Sequence, residues 1–429
     1  MTSIAFTELL ALGREQAGVE FKGPGDRSDR RLFAKVARAV LAMANRRDGG
    51  VVVVGIDDER NEAVLTGLSA TQLATWEQDA VRDALAAYAD PGVEVEVEPV
   101  RHGGRDFVVI TIREFADVPV LCRRDGDGVR EGALYVRSRR KPESVEVPRQ
   151  AEMRDVIELA TEKRLRAFLA TATAVGIGAA TRPAAPDAGT AYAGQRAALD
   201  SEIVRKARSR GHWDLVVAPA DFVPRRLDNV AALFGLVSKS DVLYRGWPYP
   251  AVLDNDPKLI GADFAGQDVD SRMHVEGWRL FQSGQFAHVL GFWEDWYEQD
   301  FMRGPREKLP EAGAELSIPA AVYTLTEFAE FAARLALAGA GADGMRLEVG
   351  VRGLAGRALK FGPGFTDFAA PPTATLDAFD LDPVVLTRTE LVADPRGVAA
   401  TAAREVFRRF GYDAPLERLR AIQQTLERR

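Results

Sequence analysis

A segment rich in alanine, glycine and proline divides this sequence and constrains its fold more than any other feature. Residues 171–195 read TATAVGIGAATRPAAPDAGTAYAGQ and carry few charges, a composition typical of a linker. The chain has 429 residues, which is long for one compact domain and suits two or three. We therefore predict a first domain over residues 1–168, a linker over 169–195 and a second domain over 196–429.

The composition predicts a soluble cytoplasmic protein without a membrane partner. The sequence has 46% hydrophobic residues, an ordinary value for a globular protein, and no apolar run long enough for a transmembrane helix. The N-terminus lacks the basic start and apolar core of a secretory signal. Cys122 is the single cysteine, which excludes an internal disulfide framework and a cysteine-type structural zinc site.

The first domain alternates helical and strand patterns, which predicts an α+β fold. SDRRLFAKVARAVLAMAN has helical spacing of its apolar residues with Ser28 as N-cap, and VVVVGIDD has the uniform apolarity of a buried strand. The predicted elements are helices over 28–45, 69–90 and 149–170, and strands over 51–58, 93–100, 106–112 and 132–140.

The second domain has a different composition and predicts a mixed α/β fold. Five of the six tryptophans fall between residues 213 and 296, where they can form either a hydrophobic core or a ligand or partner pocket. A helix over 323–339, a strand over 345–353 and a terminal helix over 416–429 follow from the apolar spacing.

Carboxylates near the N-terminus are the candidate chemical groups. In the segment GVEFKG, a strand would place Val19 and Phe21 on the core face and Glu20 with Lys22 on the other face. Glu15 can fold back over the same groove, and the buried valine strand ends in two aspartates. Three carboxylates without histidine would suit Mg²⁺ or Mn²⁺, although a Glu-x4-Glu spacing also occurs in plain solvated ion pairs.

Several blocks of the first domain resemble the Schlafen family's AlbA-type domain. They are VEFKG, AMANRRDGGVVVVGIDDERNEAVLTGL and VITIREFADVPVLCRRDGDGVREGALYVRSRRKPES, in the family's order. The resemblance covers about residues 5–165 and implies a mixed sheet with helices. It also implies a nucleic-acid-binding protein, and in the Schlafen branch proper a metal-dependent endoribonuclease that cuts structured RNA such as tRNA.

The resemblance also implies roles for individual residues. The family's two catalytic glutamates fall on Glu15 and Glu20 and its aspartate falls on Asp57, so these three would bind the metal. Its position beside Glu20 suggests that Lys22 would either contact the scissile phosphate or simply neutralise Glu20. Stress or phage defence is the biological setting that the resemblance implies.

The chain departs from the family pattern in two respects that matter for assembly. Eukaryotic relatives carry a Cys/His zinc site, which a single cysteine cannot form. They also place two related lobes around the substrate, whereas one lobe is evident in this sequence. We therefore predict a homodimer that supplies the second lobe, and a trigger or ligand recognised by residues 196–429.

Basic residues at regular spacing are candidates for phosphate contacts. Arg31, Lys35 and Arg38 recur on one face of the first helix, and Arg137 and Arg139 share a strand face. Such groups bind phosphates, but charged runs of this kind also occur on plain solvated faces.

A noncatalytic DNA-binding transcriptional regulator is the main alternative function. The net charge of −7 argues against a large nonspecific phosphate footprint, and residues 1–166 are nearly balanced with 26 basic and 29 acidic residues. No Gly-Lys dipeptide occurs, so a P-loop ATPase is excluded. RNA and DNA both remain candidate partners.

Overall fold

The computed structural model describes residues 18–59, 62–138, 143–175, 188–253, 256–271, 274–299, 311–361 and 368–427. The chain divides into two compact units. The N-terminal unit comprises the described residues up to Leu165 with Leu243–Trp247 and Glu427, and the C-terminal unit comprises Arg166–Val242 and Pro248–Leu426. Both units mix helices and sheets, which confirms the predicted α+β class.

The N-terminal unit is built on a four-stranded sheet with strand order β1-β2-β7-β6. Strands β1 and β2 are parallel, and the other two pairings are antiparallel. The strands are β1 Val19–Lys22, β2 Gly50–Val54, β3 Ile56–Glu59, β4 Glu62–Leu65, β5 Ala89–Asp90, β6 Val95–His102, β7 Arg105–Ile112, β8 Leu121–Cys122, β9 Tyr135–Arg137 and β10 Ser144–Glu146. The helices are α1 Arg30–Ala44, α2 Ala70–Leu73, α3 Gln78–Ala86 and α4 Gln150–Ala174.

Helix α1 packs on this sheet through the apolar stripe that the sequence predicts. Ten of its residues are buried, among them the alanines and valines that line the core. The predicted N-cap is wrong by one residue. Asp29, and not Ser28, accepts hydrogen bonds from the backbone amides of Arg31 and Leu32 at 2.8 and 3.2 Å.

The predicted strand over 51–58 is two strands in the structure. Gly55 has φ = 110°, a conformation that other residues rarely adopt, and a side chain there would lie 3.0 Å from the ring of Phe107. The chain therefore leaves the central sheet after β2 and enters a separate hairpin, in which β3 pairs with β4. This break places Asp57 in the hairpin and not at the end of the buried strand.

Two other predicted elements differ in extent. The helix predicted over 69–90 is interrupted between α2 and α3, where Trp76 is buried and its indole donates to the carbonyl of Gly25 at 3.0 Å. The predicted linker over 169–195 is helical at both described ends, because α4 extends to Ala174 and a further helix occupies Ala188–Gln195. Alanine is the strongest helix former, so an alanine-rich segment is not by itself a flexible one.

The C-terminal unit is built on an eight-stranded sheet, in which seven strands follow the order β12-β13-β14-β15-β11-β17-β19 and β20 also pairs with β17. Its strands are β11 His212–Pro219, β12 Lys258–Ile260, β13 Phe264–Ser271, β14 His274–Phe281, β15 Phe286–Gly291, β16 Glu315–Ser317, β17 Gly344–Arg352, β18 Ala358–Lys360, β19 Ala378–Asp380 and β20 Val384–Thr387. Its helices are α5 Ala188–Gln195, α6 Glu202–Arg208, α7 Val230–Ser240, α8 Ile318–Leu335, α9 Arg388–Ala393, α10 Pro395–Arg408 and α11 Leu416–Glu427.

Helix α8 and Trp278 lie in the core of this unit. All of the residues of α8 are buried, and the helix starts five residues earlier than predicted because Ser317 caps it with Pro319 in its first turn. Trp278 is fully buried and stacks on Phe286, so this tryptophan belongs to the core. None of the helices in the described ranges is long and apolar enough to cross a membrane.

Candidate functional site

Strand β1 presents the first candidate residue, Glu20. The strand lies beside β2 in parallel register, with Val19 opposite Val51. Val19 and Phe21 are buried as predicted, at 1% and 4% exposure. Glu20 was expected to face an open groove, but it is also only 4% exposed. The β9–β10 hairpin explains this difference, because it supplies the groups that surround the carboxylate.

The Glu20 carboxylate contacts three side chains. Its Oε2 accepts hydrogen bonds from Arg137 Nη1 and Ser144 Oγ, each at 2.5 Å, and its Oε1 forms an ion pair with the Lys22 ammonium. Arg137 also donates from Nη2 to the carbonyl of Val19 at 3.2 Å. One carboxylate oxygen is therefore held by the hairpin and the other by a lysine of the same strand.

These contacts determine the ionisation of Glu20. Burial raises the pKa of its carboxyl group, but the charges of Lys22 and Arg137 and the hydrogen bonds from Lys22 and Ser144 outweigh burial and leave the pKa below its usual value. Opposite charges and donors favour the charged form in this way. Glu20 is thus an anion at neutral pH and can serve as a ligand for a cation.

Asp57 lies close to the end of the same strand. Its Oδ2 accepts a hydrogen bond from Thr66 Oγ1 at 2.7 Å. A Cβ added to Gly23 would lie 2.5 Å from Asp57 Oδ1, so the carboxylate is packed directly against that glycine. The amide of Gly55 donates to the carbonyl of Lys22 at 2.9 Å. Asp57 therefore packs against Gly23, the residue that follows Lys22 in the chain, whereas Glu20 contacts the Lys22 ammonium.

The third predicted metal ligand, Glu15, lies outside the described residues. Within the described ranges no group of three or more histidine, cysteine, aspartate or glutamate side chains is placed to hold a metal. The metal site predicted at Glu15, Glu20 and Asp57 therefore stays a prediction. The two members that the structure describes supply carboxylate oxygens, which are the donors that Mg²⁺ and Mn²⁺ prefer.

The basic face predicted on α1 is only partly exposed. Arg31 and Lys35 are exposed, and Arg31 Nε lies 3.9 Å from a carboxylate oxygen of Asp127. Arg38 is half-buried, with Nη1 at 3.5 Å from the carbonyl of Gly128. Arg31 and Lys35 are therefore exposed at the surface, whereas Arg38 is partly covered by the neighbouring loop, and their predicted phosphate contacts stay a prediction.

Of the two arginines predicted on one strand face, the structure describes Arg137 alone. Arg137 was expected to face a phosphate, but its side chain is only 3% exposed and pairs with Glu20. Arg139 lies outside the described residues, so its predicted role stays a prediction. The sequence did not lead to a prediction for Ser144. This residue belongs to the same YVRSRRKPES block as Arg137, and the β9–β10 hairpin places the two residues opposite each other.

Cys122 in the N-terminal unit and His288 in the C-terminal unit are two further buried side chains with reactive groups. Cys122 is 2% exposed. Burial raises the pKa of its thiol. In the C-terminal unit His288 Nε2 lies 2.6 Å from Glu276 Oε2, and its Nδ1 lies 3.3 Å from the Tyr249 hydroxyl. This pair is enclosed among aromatic core residues.

Comparisons with known proteins support a family assignment for the N-terminal unit alone. Residues 15–146 match the family model described as Schlafen, AlbA_2. A comparison with curated proteins finds no significant match. The chain therefore carries a Schlafen AlbA_2 domain over this region, and the domain indicates a nucleic-acid-binding protein.

Two solved structures are distant neighbours. One is the DIP2311 protein from Corynebacterium diphtheriae, with 22% identity, a TM-score of 0.24, and coverage of 34% of this chain and 26% of that protein. The other is the N-terminal domain of a protein from Nitrosomonas europaea described as ATP-dependent DNA helicase RecG-related. It has 21% identity, a TM-score of 0.23, and coverage of 35% of this chain and 98% of that domain. At these scores the two structures carry no information about the activity of this chain.

Proposed function

We propose that this protein is a metal-dependent endoribonuclease that acts on structured RNA such as tRNA. The observation that supports the proposal is that Glu20 pairs with Lys22 on β1 and that Asp57 packs against the adjacent Gly23. Carboxylates that bind a divalent cation and an ammonium that binds a phosphate are groups that phosphodiester hydrolysis can use.

The residues fit a hard divalent cation by their donor chemistry. Glu20 and Asp57, with Glu15, would hold Mg²⁺ or Mn²⁺ through oxygen ligands. Such an ion supplies Lewis-acid polarisation of the phosphodiester and lowers the pKa of a bound water. Lys22 offers a positive charge beside the same carboxylate and would bind a nonbridging phosphate oxygen.

Arg137 and Ser144 would act as positioning residues. Both contact Glu20 Oε2, so they fix the orientation of the carboxylate and leave Oε1 toward the Lys22 side. Outer partners of this kind orient the ligands of a metal and tune its binding. The 3% exposure of the Arg137 side chain supports this positioning role over direct contact with RNA.

The cellular context follows from the family resemblance. The resemblance supports a role in stress or phage defence, and we propose a cytoplasmic location. We also retain the homodimer as a proposal, together with recognition of a trigger or ligand by residues 196–429. On the nucleic-acid side, Arg31 and Lys35 are the exposed α1 residues that would contact the RNA backbone.

A noncatalytic DNA-binding regulator is the second candidate. The observation in its favour is that Lys22 and Arg137 already neutralise Glu20 inside the protein. A carboxylate with two cationic partners can be a purely structural ion pair. Under this alternative the domain binds nucleic acid and cleaves nothing.

Cleavage assays with Asp57→Asn separate the two candidates. Asp57 is only partly buried, so the substitution should leave the fold intact. With total tRNA and Mn²⁺ or Mg²⁺, we expect the wild-type chain to produce fragments that EDTA abolishes. We expect Asp57→Asn to slow cleavage by at least about a hundredfold, since loss of even an outer-shell partner costs 10- to 100-fold. Asp83→Asn, at an exposed position on α3, is the matched control.

Two results would contradict the nuclease. One is metal-dependent cleavage by Asp57→Asn at the wild-type rate. The other is the absence of cleavage by the wild-type chain while it binds RNA or DNA with an affinity that Asp57→Asn leaves unchanged. The second result would favour the noncatalytic regulator.

A further inference from the structure

Helix α4 exposes large apolar side chains to an unusual extent. Ile157 is 56% exposed, Leu165 is 41% exposed and Phe168 is 68% exposed, and Met153 on the same helix is 39% exposed. Single exposed apolar residues are normal on a protein surface, but a contiguous group marks an interaction site. These four residues lie along one helix of 25 residues, about 37 Å in length.

The four residues share one face of the helix. Ile157 follows Met153 by four positions, and Phe168 follows Leu165 by three, which are the spacings that place side chains side by side. Thr161 lies four positions from both Ile157 and Leu165 and is itself exposed. The four apolar residues therefore lie on either side of Thr161 on a face that also carries exposed polar residues.

The same face is self-complementary about its centre. Glu158 and Arg164 are both exposed and lie three positions on either side of Thr161. Their charges are opposite. If two copies of the helix run antiparallel with Thr161 at the crossing point, each glutamate faces the arginine of the other copy. Two antiparallel copies of this face would thus bring opposite charges together.

The apolar positions match in the same register. Ile157 and Leu165 are equidistant from Thr161, so each would pack on the other across the axis. Arg154 and Phe168 lie seven positions on either side and are both exposed. Their pairing would place a guanidinium beside an aromatic ring, a favourable cation–π arrangement.

We propose that this face of α4 binds the same face of a second copy of the chain, antiparallel and about a two-fold axis at Thr161. Such an isologous contact uses one patch twice. Ile157 packs against the partner's Leu165, and Glu158 pairs with the partner's Arg164. The face is referred to below as the α4 stripe.

Arg164 has one competing contact within its own chain. Its Nε lies 3.2 Å from an oxygen of Asp117, and both side chains are about two-thirds exposed. An ion pair between exposed groups contributes little to stability. Arg164 can therefore exchange this partner for a carboxylate on the second copy.

The α4 stripe does not depend on the proposed nuclease activity. Its members are distant in sequence from Glu20 and Asp57, and its readout is molecular mass and not cleavage. A chain that proves to bind nucleic acid without cleaving it can still dimerise through the stripe, and the reverse also holds.

Charge exchange in the full-length chain tests the contact. We expect Glu158→Arg and Arg164→Glu, each alone, to raise the dimer dissociation constant at least about tenfold, because each places like charges opposite one another. The double variant should recover the wild-type value. A mixture of the two single variants should form heterodimers, since each supplies the charge that the other lacks. Sedimentation equilibrium measures the constants, and native mass spectrometry identifies the heterodimer.

Matched variants complete the experiment. Phe168→Ser should weaken the dimer without altering any charge, whereas Asp83→Arg makes the same charge change as Glu158→Arg at an exposed position on α3 and should have no effect. Circular dichroism verifies that each variant folds. A wild-type chain that stays monomeric at the highest attainable concentration overturns the proposal. So does a dimer that both single exchanges leave intact, and so does a loss that the double variant fails to recover.

Discussion

Glu20 in the N-terminal unit and Glu294 in the C-terminal unit are both buried carboxylates, with 4% and 3% of their surfaces exposed. Glu20 contacts Lys22, Arg137 and Ser144, and its pKa is lowered although burial raises it. Burial also raises the pKa of Glu294, to about 7, and there the hydrogen bond from the Ser317 amide and the charge of Arg357 do not offset it. Two equally buried carboxyl groups thus have pKa values shifted in opposite directions.

The position of the nearest arginine explains the contrast. Arg357 lies near Glu294 but directs its guanidinium to the neighbouring Asp295, which it contacts from Nη1 at 2.8 Å. Asp295 also accepts from the amides of Gly211 and Gly313. Asp295 is thereby paired with the guanidinium, and Glu294 accepts a hydrogen bond from the Ser317 backbone amide. A buried carboxylate is a candidate cation ligand only where the protein holds it in its charged form.

Removal of the arginine beside Glu20 should have the largest effect. In Arg137→Met the carboxylate loses its fully buried partner, and we expect the N-terminal unit to lose about 3–5 kcal/mol of stability. Amide exchange of β2 measures this loss. Arg82→Met, which removes one exposed partner of Asp79, should cost no more than about 0.5 kcal/mol. Similar small losses for both variants would show that the Glu20 pair is weak.

Glu294 should make the C-terminal unit less stable as pH rises. Its folded pKa of about 7 lies above its reference value of 4.5, so the folded state binds the proton more tightly. Stability is then greatest below pH 4.5 and falls as pH approaches 7, by about 3 kcal/mol at most. Denaturant unfolding followed by tryptophan fluorescence measures the slope, and Glu294→Gln should flatten it. An unchanged slope in that variant would remove Glu294 as the cause.

Glu20 should give the opposite dependence in the N-terminal unit. Its folded pKa is lowered, so its contribution is present above the unfolded pKa and is lost as pH falls through the folded pKa. A lower pH should therefore reduce the stability that Glu20 contributes to the N-terminal unit and increase the stability that Glu294 contributes to the C-terminal unit.

Lys22→Met should have the smallest effect and bears directly on the metal proposal. The ammonium occupies the side of Glu20 Oε1 that a metal would use, so its removal should tighten Mn²⁺ binding roughly fivefold, or about 1 kcal/mol. Cleavage at saturating Mn²⁺ should nevertheless fall, because the phosphate loses a cationic contact. Calorimetry measures the binding, with Lys239→Met as an exposed control. Unaltered or weaker Mn²⁺ binding would argue against a metal at Oε1.

Local patterns predicted much of the fold. The helical spacing over 28–45 and the alternation over 93–100 depend on residues that are close in sequence, and both elements are present in the structure. The boundaries were less accurate. Gly55 ends a strand that its apolar neighbours would continue, because a positive φ and the nearby Phe107 ring act only in the folded chain.

The candidate site was predicted less completely. The family motif predicted that Glu20, Lys22 and Asp57 act together; the structure pairs Glu20 with Lys22 and packs Asp57 against Gly23, and the joint site stays a prediction. Burial of Glu20 was not foreseen, since Ser144 and Arg137 are more than 110 residues away along the chain. No local spacing encodes such a contact.

The sequence by itself determined the α+β class and the resemblance of the first domain to the Schlafen AlbA-type domain. These properties follow from apolar periodicity and motif order, which need no knowledge of distant neighbours. Only the tertiary structure decided that Arg137 holds Glu20 and is withdrawn from the surface. Only it decided that Arg357 pairs with Asp295 next to Glu294. Ionisation depends on which charges meet inside the protein, and that meeting is a property of the folded chain.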